Sequence, residues 1–179
     1  MHTDVEYILL DQKTIEEKVT QLAGELERDY QGKELVMVGI LKGSFVFFAD
    51  LVRKINLDFM LDFMIVSSYG DGTTSGNIRF IKGLDKDIAG KHLVIVEDII
   101  DSGRTLSFLK AKLLEQGAGS VAVCTLLDKP SRRVVDLPID YKGFEIPDEF
   151  VVGYGLDYAE RYRNLPEIGV LKPEVYTNN

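Results

Sequence analysis

VIVEDIIDSGRTL, Val94 to Leu106, is the stretch on which the reading of the chain turns. It begins as an apolar strand that ends abruptly in two adjacent carboxylates, Glu97 and Asp98. Ile99 and Ile100 follow, then a third acid, Asp101, and then Ser102-Gly103-Arg104-Thr105 at a helix start. In parallel sheets ligands sit beyond the carboxyl ends of the strands, where this loop would lie. Gly103 permits close backbone approach. Free N–H groups at a helix start favour an anion, the Ser102 and Thr105 hydroxyls add donors, and Arg104 adds positive charge. One reading is therefore a loop that holds a phosphate at its far end and hydroxyls or a metal at its near end. The other is a solvated acidic turn with an ordinary Ser N-cap. Polar groups at a strand's carboxyl end favour the first.

The flanking sequence supplies the sheet that such a loop needs. Leu35 to Leu41 is a short apolar run bounded by glycines, and Val121 to Leu127 is another. With Leu93 to Val96 they read as strands buried on both faces, which indicates a parallel sheet covered by helices on each side. The helices are signalled between them. From Thr14, residues Ile15, Val19, Leu22, Ala23 and Leu26 fall on one face, with Thr14 and Glu17 as a capping-box pair and Gly32 beyond the end. Phe45 to Ile55 follows a turn at Lys42-Gly43-Ser44, and a helix is expected from about Thr105 to Gln116. Phe59 to Val66 and Asn77 to Lys82 are strand-like. Ser67 to Gly76 between them is rich in turn residues. The C-terminal third, richer in Pro, Tyr and charge, reads as a less regular lid or hood.

Composition narrows the function classes. Among 179 residues, 21 Lys plus Arg stand against 29 Asp plus Glu, a net charge of −8. That balance argues against a general nucleic-acid binder, which needs clustered cations; the densest basic run is Arg132-Arg133. The sequence shows no internal repeat or linker, so one domain over 1–179 is expected. A single Cys124 excludes an internal disulfide framework and suits a reducing, cytoplasmic setting. No signal peptide or membrane-spanning run is read, so no membrane partner is expected. His2 and His92, the only histidines, have no ligand partner at metal spacing, and GILKGS, Gly39 to Ser44, lacks the spacing of a Walker A loop.

The segment Val94 to Leu106 resembles the phosphoribosyl-diphosphate-binding motif of the type I phosphoribosyltransferases. LKGSFVFFADL (Leu41 to Leu51), SSYGDG (Ser67 to Gly72), LLDKPSRR (Leu126 to Arg133) and FEIPDEFVVGYGLDYAERYRNLPEIGVL (Phe144 to Leu171) resemble the hypoxanthine (guanine) branch of that family, in the family's order. The resemblance implies the type I phosphoribosyltransferase fold, an α/β architecture with a mostly parallel twisted sheet flanked by helices and a small hood formed by N- and C-terminal segments. It implies transfer of ribose 5-phosphate from 5-phosphoribosyl-1-diphosphate to N9 of a 6-oxopurine, releasing pyrophosphate, with Mg²⁺ as cofactor. A homodimer or homotetramer is the form in which the family occurs.

The same resemblance assigns roles. Glu97 and Asp98 would accept hydrogen bonds from the ribose hydroxyls, partly through Mg²⁺, a hard cation that prefers oxygen. Asp101 would be the general base, taking up or holding the proton at purine N7. Ser102, Gly103, Arg104 and Thr105 would cradle the 5′-phosphate. Leu41, Lys42 and Gly43 resemble the pyrophosphate loop, in which the peptide before the Lys is cis, and Arg163 would add a bidentate contact. Lys129 would read purine O6, because an ammonium offers donors only. Phe150 would stack on the base, with the backbone of Val151 and Asp157 at its edge and Asp157 as a further Mg²⁺ ligand. Ser68 and Tyr69 would belong to a closing loop that excludes water. Without the resemblance, Lys129 reads as a solvated cation, Phe150 as core, and Leu41 to Gly43 as a plain turn.

Overall fold

The structure is a computed structural model that describes residues 1–69 and 77–177. In chain order its elements are β1 (Val5–Leu10), α1 (Gln12–Tyr30), β2 (Leu35–Leu41), α2 (Phe45–Val52), β3 (Met60–Tyr69) and β4 (Asn77–Lys82), followed by β5 (His92–Ile100), α3 (Arg104–Glu115) and β6 (Ser120–Asp128). After a short 3₁₀ turn at Pro130–Arg132 come β7 (Tyr141–Glu145), β8 (Val151–Val152), β9 (Ile168–Leu171) and α4 (Pro173–Thr177). Among the described residues, no helix is long and apolar enough to cross a membrane.

Six strands form the main sheet in the order β4-β3-β2-β5-β6-β7. β3, β2, β5, β6 and β7 run parallel, and β4 closes one edge antiparallel to β3. The uniformly apolar runs have a simple cause, because successive side chains leave a strand on opposite faces and here both faces are covered. Leu35 and Met37 of β2 and Val94 and Val96 of β5 pack with α1 and α2. Val36, Val38 and Ile40, with Leu93 and Ile95, pack with Leu106, Leu109 and Leu113 of α3 on the other side.

A second sheet joins the two ends of the chain. Its order is β1-β9-β8, antiparallel throughout, so the N-terminal strand is hydrogen-bonded to a strand near the C-terminus. Nothing local in the sequence marks β1, whose partner lies more than a hundred residues away.

Several boundaries differ from expectation. β3 runs past Val66 to Tyr69, because β4 keeps pairing beside it, so Ser67 to Tyr69 are strand and not turn residues, and α2 ends at Val52, short of Ile55. α1 starts at Gln12, with Asp11 as N-cap accepting the Thr14 N–H at 2.7 Å, in place of a Thr14–Glu17 box. An aspartate there satisfies an orphan N–H and also places negative charge at the positive end of the helix. More consequentially, β5 does not end at Val96. It runs on to Ile100, because β6 keeps pairing beside it: Glu97 opposite Thr125, Ile99 opposite Leu127, Ile100 opposite Asp128. Glu97 and Asp98 are therefore strand residues.

Candidate active site

The pairing on the other side of β5 stops earlier. β2 accompanies β5 only from His92 to Val96 and then turns away at Leu41 into α2, while β5 feeds α3 on the opposite face. Two neighbouring parallel strands whose connections leave to opposite faces open a crevice between their carboxyl ends. Glu97, Asp98 and the loop beyond them line that crevice.

Two clefts meet there. One, of about 310 Å³, is bounded by Leu41, Gly43, Glu97, Asp101, Ser102, Gly103 and Thr105. The other, of about 610 Å³, is bounded by Asp98, Asp101, Lys129, Phe150, Val151 and Asp157. Ile99 and Asp101 belong to both. Most of the residues singled out in the sequence, though not Lys42, Arg104 or Arg163, thus converge from separate chain segments, with Asp101 at the junction.

The first cleft is a backbone cradle. Gly103, at φ +79°, is the N-cap of α3, a conformation that side-chain-bearing residues rarely adopt. The Ser102 hydroxyl accepts the Arg104 N–H at 3.3 Å, while the Arg104 side chain itself is exposed and outside both clefts. The Leu41–Lys42 peptide is cis. A Cβ on Gly43 would overlap the Asp98 carboxylate, so this turn and the acidic strand end lie in direct contact.

Glu97 and Asp98 are half-buried neighbours. Burial, and then the Asp98 charge, raise Glu97 well above the usual carboxylate range; burial raises Asp98 as well. The Asp98 carboxylate accepts the Ile99 N–H at 2.8 Å. Asp157 is ion-paired to Arg163 at 2.8 Å and accepts the Glu160 N–H at 2.9 Å. Among the described residues, no group of three or more His, Cys, Asp or Glu side chains is arranged to hold a metal ion. The donor set nevertheless fits Mg²⁺, which is bound through one or two carboxylates and takes its other oxygens from substrate and water. Two adjacent carboxylates disfavoured by burial and mutual repulsion are groups that a divalent cation would relieve.

Lys129 and Phe150 occupy the second cleft, and each departs from what its residue type alone suggests. Lys129 is buried at 6% exposure, donating to the Glu149 carbonyl at 2.6 Å with Asp148 at 3.8 Å, so it is no solvated cation. Phe150 is 38% exposed, so it is no core residue. Lys42 and Arg163 line neither cleft. They are joined through Glu160, 2.9 Å from Lys42 and 3.6 Å from Arg163. Ser68 and Tyr69 end β3, but their side chains, and the rest of the expected closing segment over 70–76, lie outside the described residues.

Some residues that organise the site carry no signal in the sequence that would single them out. Arg133 donates to the Asp101 carbonyl at 3.1 Å and forms an ion pair with the buried Asp128 carboxylate. The Val134 N–H donates to the Ser102 carbonyl at 3.1 Å, and the Lys129 N–H to the Ile100 carbonyl at 3.0 Å. The loop carrying Lys129 is thereby clamped onto the loop carrying Asp101. Arg133 is visible in the sequence only as part of a basic pair, and Glu160 as one acid in a charged run.

The phosphoribosyl transferase domain model matches residues 7–159. The chain belongs to the phosphoribosyltransferase family. Among its relatives, the hypoxanthine-guanine phosphoribosyltransferase of Bacillus subtilis (strain 168) is 51% identical over 177 residues, which is 98% of either chain. The bifunctional protein TilS/HprT of Listeria monocytogenes serotype 4b is 49% identical over 178 residues; the chain spans about 28% of the length of that relative. A crystal structure of a hypoxanthine phosphoribosyltransferase from Staphylococcus aureus superimposes with a TM-score of 0.96 at 49% identity, covering 99% of this chain and 97% of the other. The type I α/β fold expected from the sequence is the fold observed.

Proposed function

We propose that the protein is a purine-salvage enzyme that transfers the 5-phosphoribosyl group from 5-phosphoribosyl-1-diphosphate to N9 of hypoxanthine or guanine, giving IMP or GMP and pyrophosphate. The observation that carries this reading is the position of Asp101, where a backbone cradle for phosphate meets a cleft bearing a buried ammonium and an exposed aromatic ring. Relatives named hypoxanthine-guanine phosphoribosyltransferase and hypoxanthine phosphoribosyltransferase, matched over 98–99% of the chain, support it. The second sheet is read as the hood, so that residues 1–179 work as one domain.

In this reading the backbone and hydroxyls of Ser102, Gly103 and Thr105 hold the 5′-phosphate, and Arg104 adds long-range positive charge. Glu97 and Asp98 accept hydrogen bonds from the ribose hydroxyls, which orients C1 toward the base. Leu41, Lys42 and Gly43, with Arg163, hold the diphosphate; Lys42 and Arg163 exchange Glu160 for it. Lys129 donates to O6, Phe150 stacks on the ring, and the backbone of Val151 and Asp157 meets its edge. As the bond from C1 to the diphosphate oxygen breaks and the bond to N9 forms, the purine proton passes to Asp101. That carboxylate also faces the positive charge that develops on the ribose. Glu97, Asp98 and Asp157 are the residues that would hold Mg²⁺, which when bound would supply charge neutralisation for the leaving diphosphate.

The test is pyrophosphate release with Mg²⁺, 5-phosphoribosyl-1-diphosphate and, in turn, hypoxanthine, guanine, xanthine and adenine. Release with hypoxanthine or guanine and not with adenine is expected; silence with every base would sink the assignment. Lys129→Ala should lower kcat/KM for hypoxanthine about 10- to 100-fold, the size of a lost charge-assisted hydrogen bond, and narrow the gap to adenine. A variant as selective as the parent would remove Lys129 from base recognition.

A further inference from the structure

The last described residues form a short helix, α4, that carries none of the groups assigned above. Strand β9 closes at Leu171, whose N–H donates to the Phe150 carbonyl at 2.8 Å. Pro173 opens α4 immediately afterwards, so one turn later Tyr176 comes back over Phe150. The two rings stack, with centroids 5.0 Å apart and planes 23° apart. Tyr158 stands edge-on to Phe150, at 5.4 Å and 89°, and to Tyr176, at 6.5 Å and 68°.

Tyr176 is itself held from behind. With Val175 it packs on the small cluster of Val5, Val152, Tyr162 and Leu171, and the Lys172 N–H donates to the Asp4 carbonyl at 3.0 Å. The second sheet is thus the platform on which this ring is carried. Tyr176 lines the cleft that contains Lys129 and Phe150, and it is absent from the cleft of the phosphate cradle.

A half-exposed Phe standing alone would sample several orientations, and binding a flat base would then cost the entropy of fixing one. A ring stacked against one neighbour and flanked at right angles by another is fixed in advance, and Phe150, 38% exposed and lining the cleft, still offers ring surface to a planar partner. We propose that Tyr176 is a positioning residue for the purine, holding the plane of Phe150 so that it offers a preformed stacking surface. This rests on Phe150 being the ring that stacks on the base. Its effect falls on the base half of the reaction and leaves the diphosphate half alone.

Full-length Tyr176→Leu keeps apolar packing on the second sheet and loses the planar ring; Tyr176→Phe keeps the ring and loses the hydroxyl. Each is compared with the parent and with Phe150→Leu in four readouts: the hypoxanthine KM, the phosphoribosyl-donor KM, kcat at saturation and the thermal midpoint. Tyr176→Leu should raise the hypoxanthine KM about three- to tenfold, the worth of one aromatic pair, with the donor KM and kcat within about twofold. Tyr176→Phe should restore the parent value. An unchanged hypoxanthine KM in Tyr176→Leu, beside a raised one in Phe150→Leu, would overturn the role of Tyr176 and leave that of Phe150 standing. A lowered KM would mean that the tail competes with the base, and a parallel rise in both KM values with a lower midpoint would mean general loosening; either overturns the proposal. No effect of Phe150→Leu would remove the stacking role itself, and this inference with it.

Discussion

Asp101→Asn is expected to lower the maximal rate of purine ribosylation by about 10²- to 10⁴-fold, the usual contribution of a positioned general base. The substitution removes the charge and the proton-accepting capacity while keeping the shape. The backbone at this residue is held independently of its side chain, since the Asp101 carbonyl accepts from Arg133 and the adjoining Ser102 carbonyl accepts from Val134. The loop should therefore stay in place and the nucleotide product should bind nearly as before. Single-turnover rates and the dissociation constant of IMP, measured on the same preparation, separate the two effects. A variant that turns over at the parent rate would remove Asp101 as the base. A variant that loses rate and IMP affinity together would make it a binding residue.

Much of this fold is legible because two-sided burial leaves an unmistakable trace. Leu35 to Leu41 is apolar at nearly every position because its alternate residues feed two different cores, and its bounds match β2. Glu97 and Asp98 read as loop residues for the opposite reason. Polar residues normally announce the end of a strand, yet here β6 remains as a pairing partner while β2 has already departed. Only the neighbouring strands decide that, and a single sequence does not contain them. The same holds for β1, which pairs with β9 across almost the whole chain.

The site divides along the same line. The cradle from Glu97 to Thr105 is contiguous, so local chemistry identifies it. Lys129, Phe150 and Arg163 are ordinary residues in ordinary loops, and only resemblance to a family singles them out. Arg133, Glu160 and Tyr176 act through contacts that the fold creates between distant segments, such as the Arg133 bond to the Asp101 carbonyl. The net charge of −8 is compatible with a polyanionic substrate for a related reason. Seven acids line the two clefts, Glu97, Asp98, Asp101 and Asp157 among them, so part of the negative charge sits where a bound cation would offset it, beside the backbone cradle at Ser102 and Gly103.

Gly43→Ala should be as damaging as any change to a charged group, although it adds a single methyl. Three segments meet at this residue. A Cβ on Gly43 would overlap the Asp98 carboxylate, and the Gly43 carbonyl in turn lies where a Cβ on Gly155 would have to go. Asp98 has little freedom to yield, because its carboxylate is half-buried and accepts the Ile99 N–H at 2.8 Å. Either the acid must leave its place beside Glu97 or the Leu41–Gly43 turn must move outward, and both displace groups proposed to address the diphosphate and ribose. A shift of about 1 Å in such a site costs on the order of a hundredfold in rate, and overpacking costs about 1–3 kcal/mol in stability. Gly24→Ala supplies the control. Gly24 lies on the exposed face of α1 with nothing within 4 Å of its would-be Cβ. Alanine there should leave activity intact and stabilise the fold by about 0.5–1 kcal/mol, since a helix-interior glycine gives up more backbone entropy. Denaturant midpoints and the specificity constant for the phosphoribosyl donor, measured on both variants, check the pair. A Gly43→Ala enzyme with the parental specificity constant would show that contact with Asp98 does not set the geometry of the diphosphate site.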